Sequence, residues 1–354
     1  KSTVLALLVA ILEAAGRPSG RIGTLGYGFG ERSFGGERTT PEGSDYFRLL
    51  RTMRDAGAEA VVAEVSSHAL AQGRVAGASF DLALFTNLTR DHLDFHGDTE
   101  TYFAAKRGLF ELLAPGGRAV VNLDDPYGRR LSAELPSAVG YGRGESADVR
   151  PLDATADLEG LRGQVDTPRG RFSFATRLVG GYNLDNLLAA VAGAEALGLP
   201  HDAVAAGLAA CTGLPGRMEL VSRRGGFAVL VDFAHTEAAL RAALESARQL
   251  TTGRLIVVFG CGGDRDRGKR APMGRAAGEL ADLAFVTSDN PRSEAPEAIV
   301  DDVRVGLEAS GGEYVVEIDR AAAIRGAVAA ADPGALVLVA GKGHESTQIL
   351  GERV

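Results

Sequence analysis

The stretch NLTRDHLDFHGDTETYFAAK, residues 87–106, crowds metal-capable and phosphate-capable side chains onto one short connection. It follows the apolar run FDLALF at 80–85, so Asp91, His92, Asp94 and His96 fall where a buried strand gives way to a loop. In open α/β sheets, ligands gather outside the carboxyl ends of the strands. Lys106 then falls on the helix expected after the loop. Working outward, the same grammar recurs. AEAVVAEVSSH at 58–68 reads as a parallel strand buried on both faces, with Glu64 near its polar end. IGTLGYG at 22–28 reads as one short strand, and VVNLDDP at 120–126 as another; a less regular β-rich stretch then runs through FSFATRLVGG. Beyond GLPG at 213–216, which interrupts two helical runs, VLVDF, LIVVFG, LAFVTS, EYVVEI and ALVLVAG alternate with helical segments, the pattern of a doubly wound sheet. The fold class is therefore α/β, with two domains expected at 1–213 and 214–354.

Lysine is scarce: Lys1, Lys106, Lys269 and Lys342 are four of the 38 basic residues, and the other 34 are arginine. Guanidinium groups thus meet ordinary surface needs. An amine differs in being a compact charge that can lose its proton and become a nucleophile. Glu64 raises a separate question, because a carboxylate in an apolar strand needs a partner or a cation. The net charge of −8 argues against general affinity for nucleic acid or a membrane surface. Two cysteines make no disulfide framework, and no secretory leader or long uncharged apolar run is visible, so a cytoplasmic enzyme without membrane insertion is expected.

EVSSHALAQGR (64–74), NLTRDHLDFHG (87–97), GRME (216–219), FGCGGDRDRGKR (259–270), DNPR (289–292) and GKGHE (341–345) together resemble the Mur ligases, in order and over essentially the whole chain. Within that family they look most like the member that extends UDP-N-acetylmuramoyl-L-alanyl-D-glutamate by its third peptide residue. The resemblance implies a central P-loop-type ATPase domain with a mostly parallel sheet, followed by a smaller Rossmann-like α/β domain. It also implies a uridine-nucleotide domain and phosphate-loop glycines ahead of Lys1, and a further helix or so beyond GERV, outside these 354 residues.

Several roles follow from the resemblance. Lys1, Ser2 and Thr3 match the end of a phosphate loop, where backbone N–H groups and a helix N-terminus cradle an anion. Ser2 and Glu64 would hold one Mg²⁺, and His92 and Lys106 a second. The lysine matching Lys106 is N6-carboxylated by CO₂ in the family, which turns a cation into an oxygen ligand. Asp91, Asp94 and His96 are not promoted to ligands. Thr39, Thr40, Ser66, Gln72 and Arg74 match contacts to the muramoyl dipeptide. Asn183, Arg217, Asp232 and His235 match contacts to ATP, although Phe233 and Glu237 stand where the motif usually has Tyr and Pro. Arg265, Asp289, Asn290, Pro291, Arg292, Gly341 and Glu345 match the meso-2,6-diaminopimelate site, since a guanidinium fork suits a second carboxylate and Glu345 would balance the distal ammonium. Plainer readings exist: Asn183 as a helix N-cap, Thr40-Pro41 as a helix entry, Arg74 as a surface ion-pair residue, Arg292 as a turn arginine.

The activity implied is ATP-driven amide formation through an acyl phosphate, with Lys1 and Mg²⁺ offsetting charge at the transferred phosphoryl group, His235 a conceivable proton acceptor, and a monomer closing its domains around substrate. Alternatives are an L-lysine-adding enzyme, a sister ligase adding a D-alanyl dipeptide or glutamate to folate, or a fragment that binds ATP without ligating. CGGDRDRGKR lacks the GxGxxG spacing of a dinucleotide site.

Overall fold

The computed structural model describes residues 1–36 and 38–349. Its first half is built on the helix Ser2–Ala14, whose sequence STVLALLVAILEA is apolar almost all round. Such a helix is stable only when enclosed. Leu7, Leu8, Ile11 and Leu12 accordingly join a core with Leu187, Leu188 and Val191 of the helix Tyr182–Ala196 and Val204 and Leu208 of the helix His201–Ala210.

Parallel pairing occurs in two groups. Ser19–Gly23 pairs with Ala60–Ala63, while Phe80–Phe85, Leu113–Asn122 and Val139–Tyr141 form a second set. Between them lies a cavity of about 640 Å³, lined on one side by Ala60, Val62 and Glu64 and on the other by Phe80, Leu82 and Leu84. This corrects the expectation for 58–68: the strand is parallel, but all four of its residues are only half-buried, because it borders the cavity. A second correction concerns IGTLGYG, which forms two antiparallel strands, Ser19–Gly23 and Gly26–Phe29, that turn at Thr24-Leu25. The β-rich stretch is a three-stranded antiparallel sheet of Arg150–Asp157, Gly160–Thr167 and Gly170–Thr176.

The second half contains a six-stranded sheet in the order Glu219–Ser222, Ala228–Asp232, Leu336–Ala340, Leu255–Phe259, Leu283–Val286, Tyr314–Val316. The last five strands are mutually parallel, as their apolar runs predict. The antiparallel edge strand Glu219–Ser222 was not expected. Side chains alternate between two cores: Leu255, Val257 and Phe259 pack with the helices Glu237–Gln249, Arg270–Leu280 and Pro296–Ser310, and Ile256 and Val258 with Arg320–Ala329. The helices Arg270–Leu280 and Pro296–Ser310 pack closely because Gly306 has no side chain; a Cβ there would lie 1.8 Å from the carbonyl oxygen of Ala271. Among the described residues, no helix is long and apolar enough to cross a membrane.

Candidate active site

Glu64 emerges just past the end of Ala60–Ala63 and is 5% exposed. Its Oε1 accepts from the Thr24 N–H at 3.1 Å and its Oε2 from Thr24 Oγ1 at 3.2 Å. Among the described residues it has no ion-pair partner, so a buried negative charge is left with lone pairs to spare. Lys1 and Glu64 line the same cavity, and the Glu64 carboxylate and Leu5 of the first helix both press on Gly23. The start of the first helix, where Ser2 and Thr3 are both buried, therefore lies beside Glu64.

The opening stretch has more structure than a loop. A helical turn, Leu93–His96, precedes the helix Thr99–Arg107, which is capped by the Asp98 carboxylate on Thr101 N–H at 2.7 Å. His92 enters that turn with φ 55°, its N–H held by Asp91 Oδ1 at 2.9 Å. Its ring stands edge-on to His68 and Tyr102, at centroid distances of 4.8 and 6.0 Å. Burial pulls the His92 pKa below its usual value against the pull of Asp91, which favours the neutral imidazole that ligates metals. His96 is spent on packing: it stacks on Tyr102 at 4.9 Å and its Nε2 meets Ser67 Oγ at 2.9 Å.

Lys106 lies over the same Tyr102, its Nζ 5.0 Å from the ring centroid, and donates to the carbonyl of Asn87 at 2.8 Å. No carboxylate pairs with it among the described residues. Burial first, then the charge at Lys1, lowers its pKa to about 7 against the opposing pull of Asp125 and Asp91. A substantial fraction of this amine is therefore uncharged and nucleophilic at neutral pH. Among the described residues no group of three or more His, Cys, Asp and Glu side chains is arranged to hold a metal ion. The predicted donor set instead mixes a hydroxyl, one carboxylate, one imidazole and a lysine.

Beside Glu64, Thr39 Oγ1 lies 3.0 Å from Thr24 Oγ1, and Thr40 Oγ1 donates to the Glu64 carbonyl at 2.8 Å while accepting the Ser66 N–H at 3.0 Å. Arg74 is more than a surface ion-pair residue: its side chain, 12% exposed, lies 3.5 Å from Glu42 Oε1, donates to the Thr40 carbonyl at 3.0 Å and keeps a buried Nε with no partner among the described residues. The Ser66 hydroxyl caps its helix on the Ala69 N–H, and Gln72 lies exposed after it. Thr40-Pro41 does lead into the helix Gly43–Asp55.

From the second half of the chain, Arg217 donates to Ser2 Oγ at 3.4 Å, its guanidinium 4.7 Å from the Phe233 ring centroid. His235 and His344 pack on that ring at 4.6 and 5.3 Å, and burial lowers both pKa values. Two expected nucleotide residues face inward instead. Both oxygens of Asp232 are taken, Oδ2 by Tyr182 Oη at 2.7 Å and Met218 N–H at 2.8 Å, Oδ1 by Ala234 N–H at 2.8 Å. Asn183 is fully buried and bonds the Val179 carbonyl at 2.7 Å; it is not an N-cap, because its helix starts at Tyr182 after Gly181.

The glycine-rich loop and DNPR are zipped together. The Gly263 N–H donates to the Asn290 carbonyl at 2.9 Å, Arg292 Nη1 to the Gly263 carbonyl at 2.8 Å, and the Asp264 carboxylate accepts from Ser293 Oγ at 2.7 Å. Arg292 and Asp264 both adopt positive φ, 53° and 52°. Arg292 is therefore partly a turn arginine, its Nη1 spent on the backbone. Arg265 neighbours it across Gly262, and Pro291 closes on Gly263. Asp289, Asn290 and Glu345 cluster around Lys342, with Gly341 (φ 110°) pressed on Asp289.

The chain matches the model of the Mur ligase middle domain over residues 1–194 and that of the Mur ligase glutamate ligase domain over residues 216–343. It belongs to the Mur ligase family. It is 51% identical over 352 residues to the UDP-N-acetylmuramoyl-L-alanyl-D-glutamate--2,6-diaminopimelate ligase of Gloeobacter violaceus, covering 99% of this chain and 72% of that protein. The same-named protein of Synechococcus elongatus is 48% identical, with 99% and 71% covered. A solved ligase of that name superposes with TM-score 0.69 at 34% identity, over 99% of this chain and 72% of that one. Folylpolyglutamate synthase of Mycobacterium tuberculosis shares the fold, with TM-score 0.75, 22% identity and 96% and 85% covered.

Within this Mur ligase, sequence reasoning missed His344, whose buried Nδ1 has no partner among the described residues, and Tyr182, which locks Asp232. It also missed Arg270 and Glu294, which tie down the glycine-rich loop. His344 lies inside GKGHE and Arg270 closes FGCGGDRDRGKR, so those motifs carried a signal for both; a tyrosine at a helix start and the pairing of Arg270 with Glu294, 24 residues on, carry none.

Proposed function

We propose that this chain is the ATP-dependent ligase that joins meso-2,6-diaminopimelate to UDP-N-acetylmuramoyl-L-alanyl-D-glutamate, working as a monomer in the cytoplasm, with its domain boundary at 213–216. One observation carries the reading: Arg217 donates to Ser2 Oγ at 3.4 Å at the start of the first helix, beside the cavity that Lys1 and Glu64 line. The named relatives, similar over nearly the whole chain, supply the substrate class.

In this reading the dipeptide carboxylate, aligned by Thr39, Thr40, Ser66, Gln72 and Arg74, attacks the γ-phosphorus of ATP as the bond to ADP breaks, and an acyl phosphate forms. Lys1, Arg217 and the helix N-terminus carry the charge that accumulates on the phosphoryl oxygens. Thr3, Asn183, Asp232 and His235 shape the nucleotide side, Asn183 and Asp232 by holding backbone. The uncharged amine of diaminopimelate then attacks the acyl carbon, phosphate leaves, and a proton passes to His235 or solvent. Arg265 and Arg292 read the distal carboxylate, with Asp289, Asn290, Pro291, Gly341 and Glu345 around the distal ammonium.

Mg²⁺ fits the residues present: Glu64 is a buried carboxylate lacking a cation, Ser2 offers a hydroxyl and His92 a neutral ring. When bound it neutralises phosphate oxygens and acts as a Lewis acid. Lys106 would join the donor set after its amine adds to CO₂ and loses a proton, leaving a carbamate. The test is phosphate release that depends on the muramoyl dipeptide and on diaminopimelate together. Equal rates with L-lysine would overturn the assignment of the amino acid.

A further inference from the structure

Four lysines serve a chain with 34 arginines, and the mechanism absorbs two of them. Lys269 donates to the main-chain carbonyl of His235 at 2.9 Å and so braces a backbone turn. Lys342 has a different setting. Its Nζ donates to Asn290 Oδ1 at 3.0 Å and to Glu345 Oε2 at 3.1 Å, and stands 3.6 Å from Asp289 Oδ1. Its side chain is 12% exposed. The three N–H bonds of an ammonium thus face three acceptors, and those acceptors are the residues assigned above to the distal ammonium of the amino acid. Two of them are tied to each other or to backbone: Asn290 Nδ2 donates to Glu345 Oε2 at 3.1 Å, and Asn290 Oδ1 also accepts from the Ile349 N–H at 2.9 Å. The cluster is therefore already assembled around a cation, which the chain itself supplies from a flexible four-carbon stem.

We propose that Lys342 is a tethered stand-in for the ammonium of the incoming amino acid, holding Asp289, Asn290 and Glu345 in place until the ligand binds and then yielding to it. The inference rests on the reading that this cluster takes the amino acid. It makes Lys342 a specificity-determining residue. A ligand offering only an amine must displace an intramolecular partner of the same chemistry and gains little. One that also brings a carboxylate to Arg265 and Arg292 has the surplus to win. Selection for an amino acid bearing both groups at its distal end follows.

The test uses the rarity of lysine. A brief pulse of reductive dimethylation, read by mass spectrometry at each lysine, is applied with and without saturating meso-2,6-diaminopimelate. Displacement predicts that Lys342 labelling rises several-fold while Lys269 stays constant. Calorimetry then compares variants: Lys342→Met is expected to bind diaminopimelate about tenfold more tightly, the size of one charge-assisted hydrogen bond no longer contested, and to bind L-lysine measurably. Protection of Lys342 by the ligand, or weaker binding by Lys342→Met while Glu345→Gln also weakens binding, overturns the displacement and leaves the amino-acid site standing. Unchanged binding in Glu345→Gln overturns both.

Discussion

Replacing Arg270 with Met tests how the glycine-rich loop is held. The Arg270 side chain is 1% exposed and makes a two-pronged contact with Glu294, at 2.8 and 3.1 Å, and a further contact with Asp302 at 2.9 Å. Glu294 Oε1 also accepts the Asp264 N–H at 2.7 Å, so one carboxylate joins the helix to the loop carrying Arg265. Removing one partner of a buried, hydrogen-bonded pair strands the other and costs about 3–5 kcal/mol. Arg267, 2.9 Å from Glu294 on a side chain 71% exposed, restores little, since exposed pairs contribute about 0–1 kcal/mol. Hydrogen exchange of amides in Leu255–Phe259 and Leu283–Val286 is the assay, and protection in Arg270→Met should fall by roughly two to three and a half orders of magnitude, at about 1.4 kcal/mol per tenfold. The double variant Arg270→Met/Glu294→Leu should recover part of the loss, because the one carboxylate left without its partner, Asp302, is 51% exposed and stays hydrated. The same pair predicts an acid dependence. Arg270 holds the Glu294 carboxyl at about 2, below its ordinary 4.5, so its contribution is present above pH 4.5 and is lost as pH falls through about 2. Glu294→Gln should lack that acid limb. A loss in Arg270→Met below about 1 kcal/mol, or an unchanged limb in Glu294→Gln, refutes the reasoning.

Lys106→Arg keeps a charge but cannot add to CO₂, so turnover should fall by about a hundredfold or more, with Lys106→Glu retaining more activity by restoring an oxygen donor. Because the amine must be neutral to react, wild-type activity at limiting bicarbonate should climb as pH rises through about 7, and a flat profile would count against carbamylation. Arg217→Met removes the contact to Ser2 and the cation over Phe233; the KM for ATP should rise about tenfold while that for diaminopimelate holds. Gly263→Ala places a methyl 1.9 Å from the carbonyl oxygen of Pro291, and prising the two loops apart should raise the KM for diaminopimelate about ten- to a hundredfold, with the KM for ATP unmoved.

The α/β class, the five parallel strands of the second sheet and the family were all legible in the residues, because buried parallel strands must be continuously apolar and ligand residues follow their ends. The sequence also singled out Glu64 and Lys106, each by a local oddity: a carboxylate in an apolar run, and an amine where arginine is the habit. Only the tertiary structure decided what those groups face. The open flank of Ala60–Ala63, the inward turn of Asp232 onto Tyr182, the tie between Arg292 and the Gly263 carbonyl, and the ammonium of Lys342 beside Asp289 and Asn290 all depend on partners tens of residues away. A local pattern records which residues must be buried or must turn. Which hydrogen-bond acceptor meets which donor is settled only when separate strand ends are brought to the same face, and that choice converts the motifs into a site.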